Sequence, residues 1–433
     1  MIPASLFFAV FGEGALEVRA LDLSPEAFSF RLAKGRRPGG FLTAWFYHPE
    51  AARWAKAAAE TAPCTLLESG RDWDTWRCSV SDPAFSKEAG ALSRTILAYV
   101  RLWQEGDAAG MEEQFSHFRE DGADAKTLRE KEKRWLLETR AIALPEGLRL
   151  GVLLSSPFLW QTYEKEGITA FWRFYRDAFL EEKGETLPAP AFLHLGSPFC
   201  PRLFPPAGEL EEILNRMKAE GIHPVAVLSP MRESETEKIA ERLVALETWA
   251  EKNGAVLETE CNDLGELMLI RERGYTHLAP TAGVLLGKRR KDPRLPFLPG
   301  YDPRHLETTT MDDPLYQELF PFGRSAVETL DYVPRIPFGR GTLYGPYYAT
   351  NVSGLCPLLA AEHTGDRGAQ RIGDACAIDC EHNAFLYPDA EHLAGIGNAI
   401  LGFSGAAFCT EKLARARDLG ADRFVLNFPG GAL

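Results

Sequence analysis

The chain predicts an α/β protein in two parts: a barrel-like parallel βα domain preceded by a small β-barrel or sandwich with helices. Three observations carry this. The first 85 or so residues are short apolar runs broken by Gly and Pro. From residue 147 short apolar runs alternate with amphipathic stretches at least five times, the pattern of βαβ units around a parallel sheet. The length of 433 residues exceeds one small domain, at roughly 150 residues per domain.

In the first part, residues 5–11, 16–21, 27–32, 40–47 and 73–80 are apolar or β-branched. Gly12-Glu13-Gly14, Ser24-Pro25, Gly35, Pro38-Gly39-Gly40 and Gly70 punctuate them, which reads as strands and turns. Residues 87–104 place Leu92, Ile96, Leu97, Val100, Leu102 and Trp103 at helical spacing. Residues 112–140 are dense in alternating charge and read as a solvated connecting helix. This part is assigned to 1–146.

The second part, 147–433, opens with the run 149–155 and a helix over 158–181. The run Ala191–Phe199 follows, then a helix over 209–220 and the run Val225–Ser229. A helix over 234–253, the run Val256–Cys261, a helix over 263–273 and the run His277–Pro280 complete the series. With so many units a closed barrel is expected, its functional face at the C-terminal strand ends. Residues 284–325, rich in charge and Pro, read as an insertion on one face. The alternation is expected to resume with Phe385–Tyr387, Ala399–Phe403, the helix Thr410–Leu419 and the strand Phe424–Phe428.

No apolar run approaches the roughly 20 residues of a membrane span, and Leu6–Phe11 lacks a preceding basic residue, so a cytoplasmic protein is expected. The net charge of −13 argues against non-specific coating of nucleic acid. A local basic patch remains compatible with it. Gly283-Val-Leu-Leu-Gly287-Lys288 is one residue short of a P-loop and lacks its hydroxyl. Gly402-Phe-Ser404-Gly-Ala misplaces the second glycine of a nucleophile elbow. Neither His-Glu-x-x-His nor Cys-x-x-Cys occurs, and the nine histidines are scattered, reading as surface or capping residues.

Eight cysteines remain: Cys64, Cys78, Cys200, Cys261, Cys356, Cys376, Cys380 and Cys409. In a reducing cytosol each is a buried small group, a reactive thiol or a metal ligand. Cys376 and Cys380 have three residues between them, and Cys356 precedes them in the same stretch rich in Gly, Asp and Arg. Cys200 ends the run Ala191–Phe199, at a predicted strand end. One strand-end thiol and three loop thiols make four, the usual number for an iron–sulfur cluster. Soft thiolates also suit zinc. Cys64, Cys78 and Cys409 lie in apolar contexts and read as packing residues. Cys261 ends another strand and is the reserve ligand.

Around Cys200 the chain reads His194-Leu-Gly-Ser-Pro-Phe-Cys200-Pro-Arg202, and later Glu260-Cys-Asn262-Asp263-Leu264-Gly265-Glu266. These segments resemble the U-32 peptidase family, closest to its branch of iron–sulfur ubiquinone-biosynthesis accessory proteins. The resemblance covers roughly residues 148–433. It implies a TIM-barrel-like fold and a 4Fe-4S cluster on Cys200, Cys356, Cys376 and Cys380. It further implies oxygen-independent hydroxylation of quinone precursors or RNA bases, on a small-molecule or RNA substrate. Other members carry a collagenase-type peptidase label, so a U-32 peptidase with only a structural metal is a second expectation. A non-enzymatic scaffold holding a structural ion is a third. The gap between Cys356 and Cys376 is longer than in the quinone branch, and the charged insertion 288–313 has no counterpart there, which leaves the substrate open.

Val18-Arg19-Ala-Leu-Asp22-Leu-Ser24-Pro-Glu-Ala27 faintly resembles the strand of PilZ-type barrels. Ala27 replaces its glycine and the Arg-x-x-x-Arg is missing, so cyclic-di-GMP is not expected. A structural or partner-binding role is expected for this domain. Glu260, Asn262 and Asp263 are the catalytic candidates, with N-capping as the competing use of Asn262 or Asp263. Arg202, Lys288, Arg289 and Arg294 are candidates for substrate binding, with a solvated loop as the alternative for the last three.

Overall fold

The computed structural model describes residues 6–12, 16–48, 53–60, 62–107, 110, 125–139, 142–287, 289, 307–330, 332–362, 376–387 and 392–430. Contacts divide the chain into two units, with the main division at Arg119/Glu120.

The N-terminal unit holds β1 (Phe7–Phe11), β2 (Leu16–Val18), β3 (Ala20–Ser24), β4 (Ala27–Ala33), β5 (Leu42–His48), β6 (Arg53–Ala59), β7 (Cys64–Ser69), β8 (Trp73–Ser79) and α1 (Pro83–Glu105). They form two four-stranded antiparallel sheets, β2-β1-β5-β6 and β3-β4-β8-β7. One aromatic core joins them: Phe7 meets Phe28 of the other sheet at 5.3 Å and Phe85 of α1 at 6.3 Å between ring centroids. Asp82 caps α1, accepting from Phe85 N at 2.7 Å. The β6 and β7 strands lie outside the runs that the sequence marks as strands. β6 is Arg-Trp-Ala-Lys-Ala-Ala-Ala, whose alanines carry helix propensity that pairing with β5 overrides.

The second unit is a closed barrel of eight parallel strands. In order around it they are β9 (Arg149–Leu154), β10 (Phe192–Gly196), β11 (His223–Val227), β12 (Leu257–Cys261), β13 (Leu278–Ala282), β14 (Ser325–Glu328), β15 (Gly341–Gly345) and β20 (Ala421–Leu426). This is the TIM-like architecture expected. Helices α3 (Pro157–Phe179), α4 (Ala207–Ala219), α5 (Thr236–Lys252) and α6 (Leu264–Glu272) connect the first strands. Each presents leucines, isoleucines or aromatics to the barrel and most of its charge outward, Glu266 of α6 being the buried exception. Ser156 and Pro157 start α3 in the usual capping order. The long connection after β13 carries α7 (Pro314–Leu319).

Two expectations are corrected. The charged stretch 112–140 is not a solvated connector where it is described. The helix α2 (Ala125–Leu137) buries Leu128, Trp135 and Leu136 in the barrel unit's core. Its charges are also spent there: Arg129 pairs with Glu132, Glu132 accepts from Tyr347, and Lys131 donates to Tyr387 O at 2.7 Å. It therefore belongs with the barrel. Secondly, the late runs do not continue the βα alternation. β16 (Tyr347–Val352), α8 (Pro357–Glu362), β17 (Phe385–Leu386), β18 (Leu393–Ile396) and β19 (Ala399–Phe403) intervene between β15 and β20. Their strands form a separate antiparallel sheet, β16-β19-β18-β17. The last helix α9 (Thr410–Asp418) and β20 then close the barrel. Among the described residues no helix is long and apolar enough to cross a membrane.

Candidate thiol centre at the barrel mouth

Cys200, Cys356, Cys376 and Cys380 come together in one cluster, walled by Leu203, Leu358, Leu359 and Phe385. They arrive from three separate segments: the loop after β10, the start of α8, and the loop before β17. The other four stand apart. Cys64 and Cys78 pair across β7 and β8, and Cys78 is fully buried there. Cys409 Sγ lies 2.9 Å from Glu411 Oε2. Cys261, the reserve ligand, points into the barrel unit's core and is not part of the cluster.

Specific backbone features position the four thiols. Asn398 is buried and donates through Nδ2 to Phe199 O at 2.9 Å and to Ser353 O at 2.8 Å. It thereby ties the Cys200 loop to the segment leading into Cys356. Glu381, next to Cys380, accepts from Phe158 N at 2.7 Å and anchors its loop on the first turn of α3. Ile378 adopts φ 64°, a costly conformation for a β-branched residue. Its N–H donates to Cys376 Sγ at 3.4 Å. Gly397, at φ 58°, lies against Cys380, where the left-handed backbone favours glycine.

The donor set is soft and crowded. Burial pushes the Cys200 thiol up to about 11, aided by Cys376 and Cys356 and opposed by the backbone N–H groups of Arg202 and Leu203. Cys380 is raised by burial and by its three thiol neighbours. Among the described residues no three His, Cys, Asp or Glu side chains form a ready cage for a single ion.

Beside the thiols a cavity opens at the C-terminal strand ends, lined by Ser155, Ser197, Phe199, Cys200, Tyr344, Tyr347, Cys380 and Asn427 among others. Its void is about 60 Å³, room for one or two waters. A second cavity of about 480 Å³ adjoins it, sharing Phe199, Val284 and Ala349.

Below the first cavity lies a buried polar network. Tyr344 donates to Glu260 Oε2 at 2.8 Å, and its oxygen is 2.7 Å from His194 Nδ1. Burial pushes the Glu260 carboxyl up to about 7, although the Tyr344 hydrogen bond and Arg423 pull it down. Burial holds His194 well below its ordinary value, reinforced by Arg423 and Arg324. A neutral imidazole beside a carboxyl poised near neutrality is an arrangement able to hold or move a proton. His194 Nε2 and Glu260 Oε1 have no hydrogen-bond partner.

The three catalytic candidates thus separate. Glu260 faces the barrel interior. Asn262 braces strand ends, donating to Leu228 O at 2.8 Å and accepting from Leu285 N at 3.0 Å. Asp263 caps α6 in a reciprocal box with Glu266. His194 corrects the reading of the histidines as surface or capping groups, being fully buried. Its position inside a strand run, two residues before Gly196, is the signal that could have flagged it. Tyr344 carried none, because β15 itself was not recognised.

Arg202 lies in the Cys200 loop beside Arg242, which donates to Pro201 O at 2.8 Å. Arg289 lines the second cavity. Lys288 and Arg294 lie outside the described residues. The Asp22 and Ser24 positions of the PilZ-like segment are used in the β3–β4 hairpin: Asp22 accepts from Ser29 N at 3.1 Å and Ser24 Oγ bonds to Ala27.

No protein-family model matches the chain, and comparison with curated proteins and with solved structures also gives no match.

Proposed function

We propose that this chain is a U-32-type iron–sulfur protein of oxygen-independent hydroxylation, acting on a quinone precursor or an RNA base. One observation carries the reading: four thiols from three distant segments gather at the C-terminal strand ends of a parallel barrel, beside two cavities that share part of their wall. The residues fit a 4Fe-4S group. Four thiolates are its usual ligands, and a cationic metal core offsets the cost of ionising crowded, buried thiols. In such a cluster each thiolate takes a different iron, so the thiols need not close on one point. When bound, the cluster would supply one-electron chemistry.

The chain's own residues would do the rest. Cys200, Cys356, Cys376 and Cys380 hold the group. The Ile378 N–H supports the Cys376 sulfur, Asn398 and Glu381 fix the loops, and Leu358, Leu359 and Phe385 limit water. Tyr344, Glu260 and His194 hold a proton at the floor of the cavity. All eight cysteines are free, which suits a reducing cytoplasm.

Anaerobic purification followed by iron and sulfide assays tests the reading. The expected result is a brown protein with about four irons per chain, lost when Cys376 and Cys380 are replaced by Ser. A colourless anaerobic preparation free of iron and sulfide sinks it. Zinc in its place points to a structural ion.

A further inference from the structure

We propose that the larger cavity is a binding site for the oxyanion of a small organic molecule, carboxylate or phosphate, gripped by Arg232 and Arg289. Both arginines line it, and no Asp or Glu does. A concave site with two cations and no acid concentrates negative charge, and paired guanidinium groups suit the planar geometry of oxyanions.

Arg289 is held ready. Its Nη2 donates to Glu328 O, and its guanidinium lies over the Tyr332 ring at 5.8 Å. The carboxylates of Glu328 and Asp312 lie within electrostatic reach. Glu328 Oε1 is engaged by Ala349 N at 2.8 Å. The remaining nitrogen, Nη1, is buried with no hydrogen-bond partner. A buried donor left unmade is costly, and a turn of the guanidinium toward the cavity would let an incoming oxygen satisfy it. Arg232 approaches from the opposite loop, against Gly354.

The size and shape favour a small molecule over a nucleic-acid strand. About 480 Å³ lies within the usual range for metabolite pockets. The Arg289 nitrogen is sunk in the wall instead of standing out on a surface. Phe199, Val284 and Ala349 are shared with the thiol-side cavity, so a ligand held at the arginines extends its other end toward the thiols. The site stands on its own geometry and does not require the thiols to hold a metal.

The test is calorimetric titration of the full chain with inorganic phosphate and, separately, with citrate, at matched ionic strength against a chloride control. A short RNA oligonucleotide is a third titrant, and iron content is measured on the same preparation. Millimolar or tighter binding of phosphate or citrate, weakened about tenfold or more in Arg289→Gln and in Arg232→Gln, supports the site. The stronger of the two titrants identifies the source of the oxyanion. No binding above the chloride control, equal binding in both variants, or binding of the oligonucleotide alone overturns it. Arg232 is only half-buried, so Arg232→Gln keeps the test open if Arg289→Gln fails to fold. Binding without iron leaves this site standing while the cluster reading falls.

Discussion

Tyr344 donates its hydroxyl to Glu260 Oε2 at 2.8 Å, and this bond joins the wall of the thiol-side cavity to the buried middle of the barrel. The Glu260 carboxyl, pushed up to about 7 mainly by burial, binds its proton more tightly folded than unfolded. Its favourable contribution is complete below the ordinary carboxyl range and disappears as pH rises through about 7. The melting temperature should therefore fall between pH 5 and pH 8, by a stability change on the order of 3 kcal/mol. Glu260→Gln should flatten that part of the profile. An unchanged profile in the variant would assign the pH dependence to other groups, such as Glu266, also raised by burial.

Asn398 is the clasp between two thiol-bearing loops. Asn398→Ala leaves the Phe199 and Ser353 carbonyls without their donor, at a cost of roughly 1–3 kcal/mol. Iron retained after anaerobic desalting should fall well below wild type, with the circular dichroism spectrum unchanged. Full retention would show that the loops hold themselves.

Helix α2 contributes to the barrel's stability through Trp135, whose ring centroid lies 5.4 Å from Phe403. Trp135→Ala should cost about 3–5 kcal/mol, read as a lower urea midpoint. A change under about 1 kcal/mol would restore the picture of a solvated linker.

Cys64 and Cys78 occupy opposed positions on β7 and β8. Ser79 N donates to Pro63 O at 3.0 Å, so the neighbouring cysteine pair is of the close, non-hydrogen-bonded kind, with Cα atoms about 4.5 Å apart. That separation lies within disulfide reach. Treatment with diamide, whose azo bond takes up the two thiol hydrogens, should link these residues in a peptide map and leave a mass lower by two hydrogens. Cys64→Ser should abolish the link. A map showing both thiols still alkylatable would mean that the strands do not let them meet.

Much of the barrel was legible because its strands are buried on both faces and appear as largely apolar runs, as in Leu150–Leu154, or in Phe192–Leu195 with its single His194. The strands β14 and β15 escaped notice. Ser-Ala-Val-Glu and Gly-Thr-Leu-Tyr-Gly are too short and too polar to stand out, and β14 ends in a glutamate at the barrel mouth. The grouping of Cys200 with Cys356, Cys376 and Cys380 was legible from loop placement and from a family resemblance. What positions them was not. Asn398 and Ile378 act through backbone carbonyls, an N–H and a left-handed φ, features that residue identity does not disclose. Arg232 carries no signal in the sequence, since only its place in the wall of the cavity that Arg289 also lines gives it meaning.

The thiols enter the chain at residues 200, 356, 376 and 380, the first before and the other three within the excursion between β15 and β20. Five strands of the barrel separate the first from the second, and the final strand follows the last. Cys200 thus waits, during synthesis, for most of the cylinder to be laid down before its companions exist. Whatever these sulfurs capture must be delivered to a nearly finished molecule, so a shortage of that cargo would leave folded, empty protein instead of stalling the nascent chain.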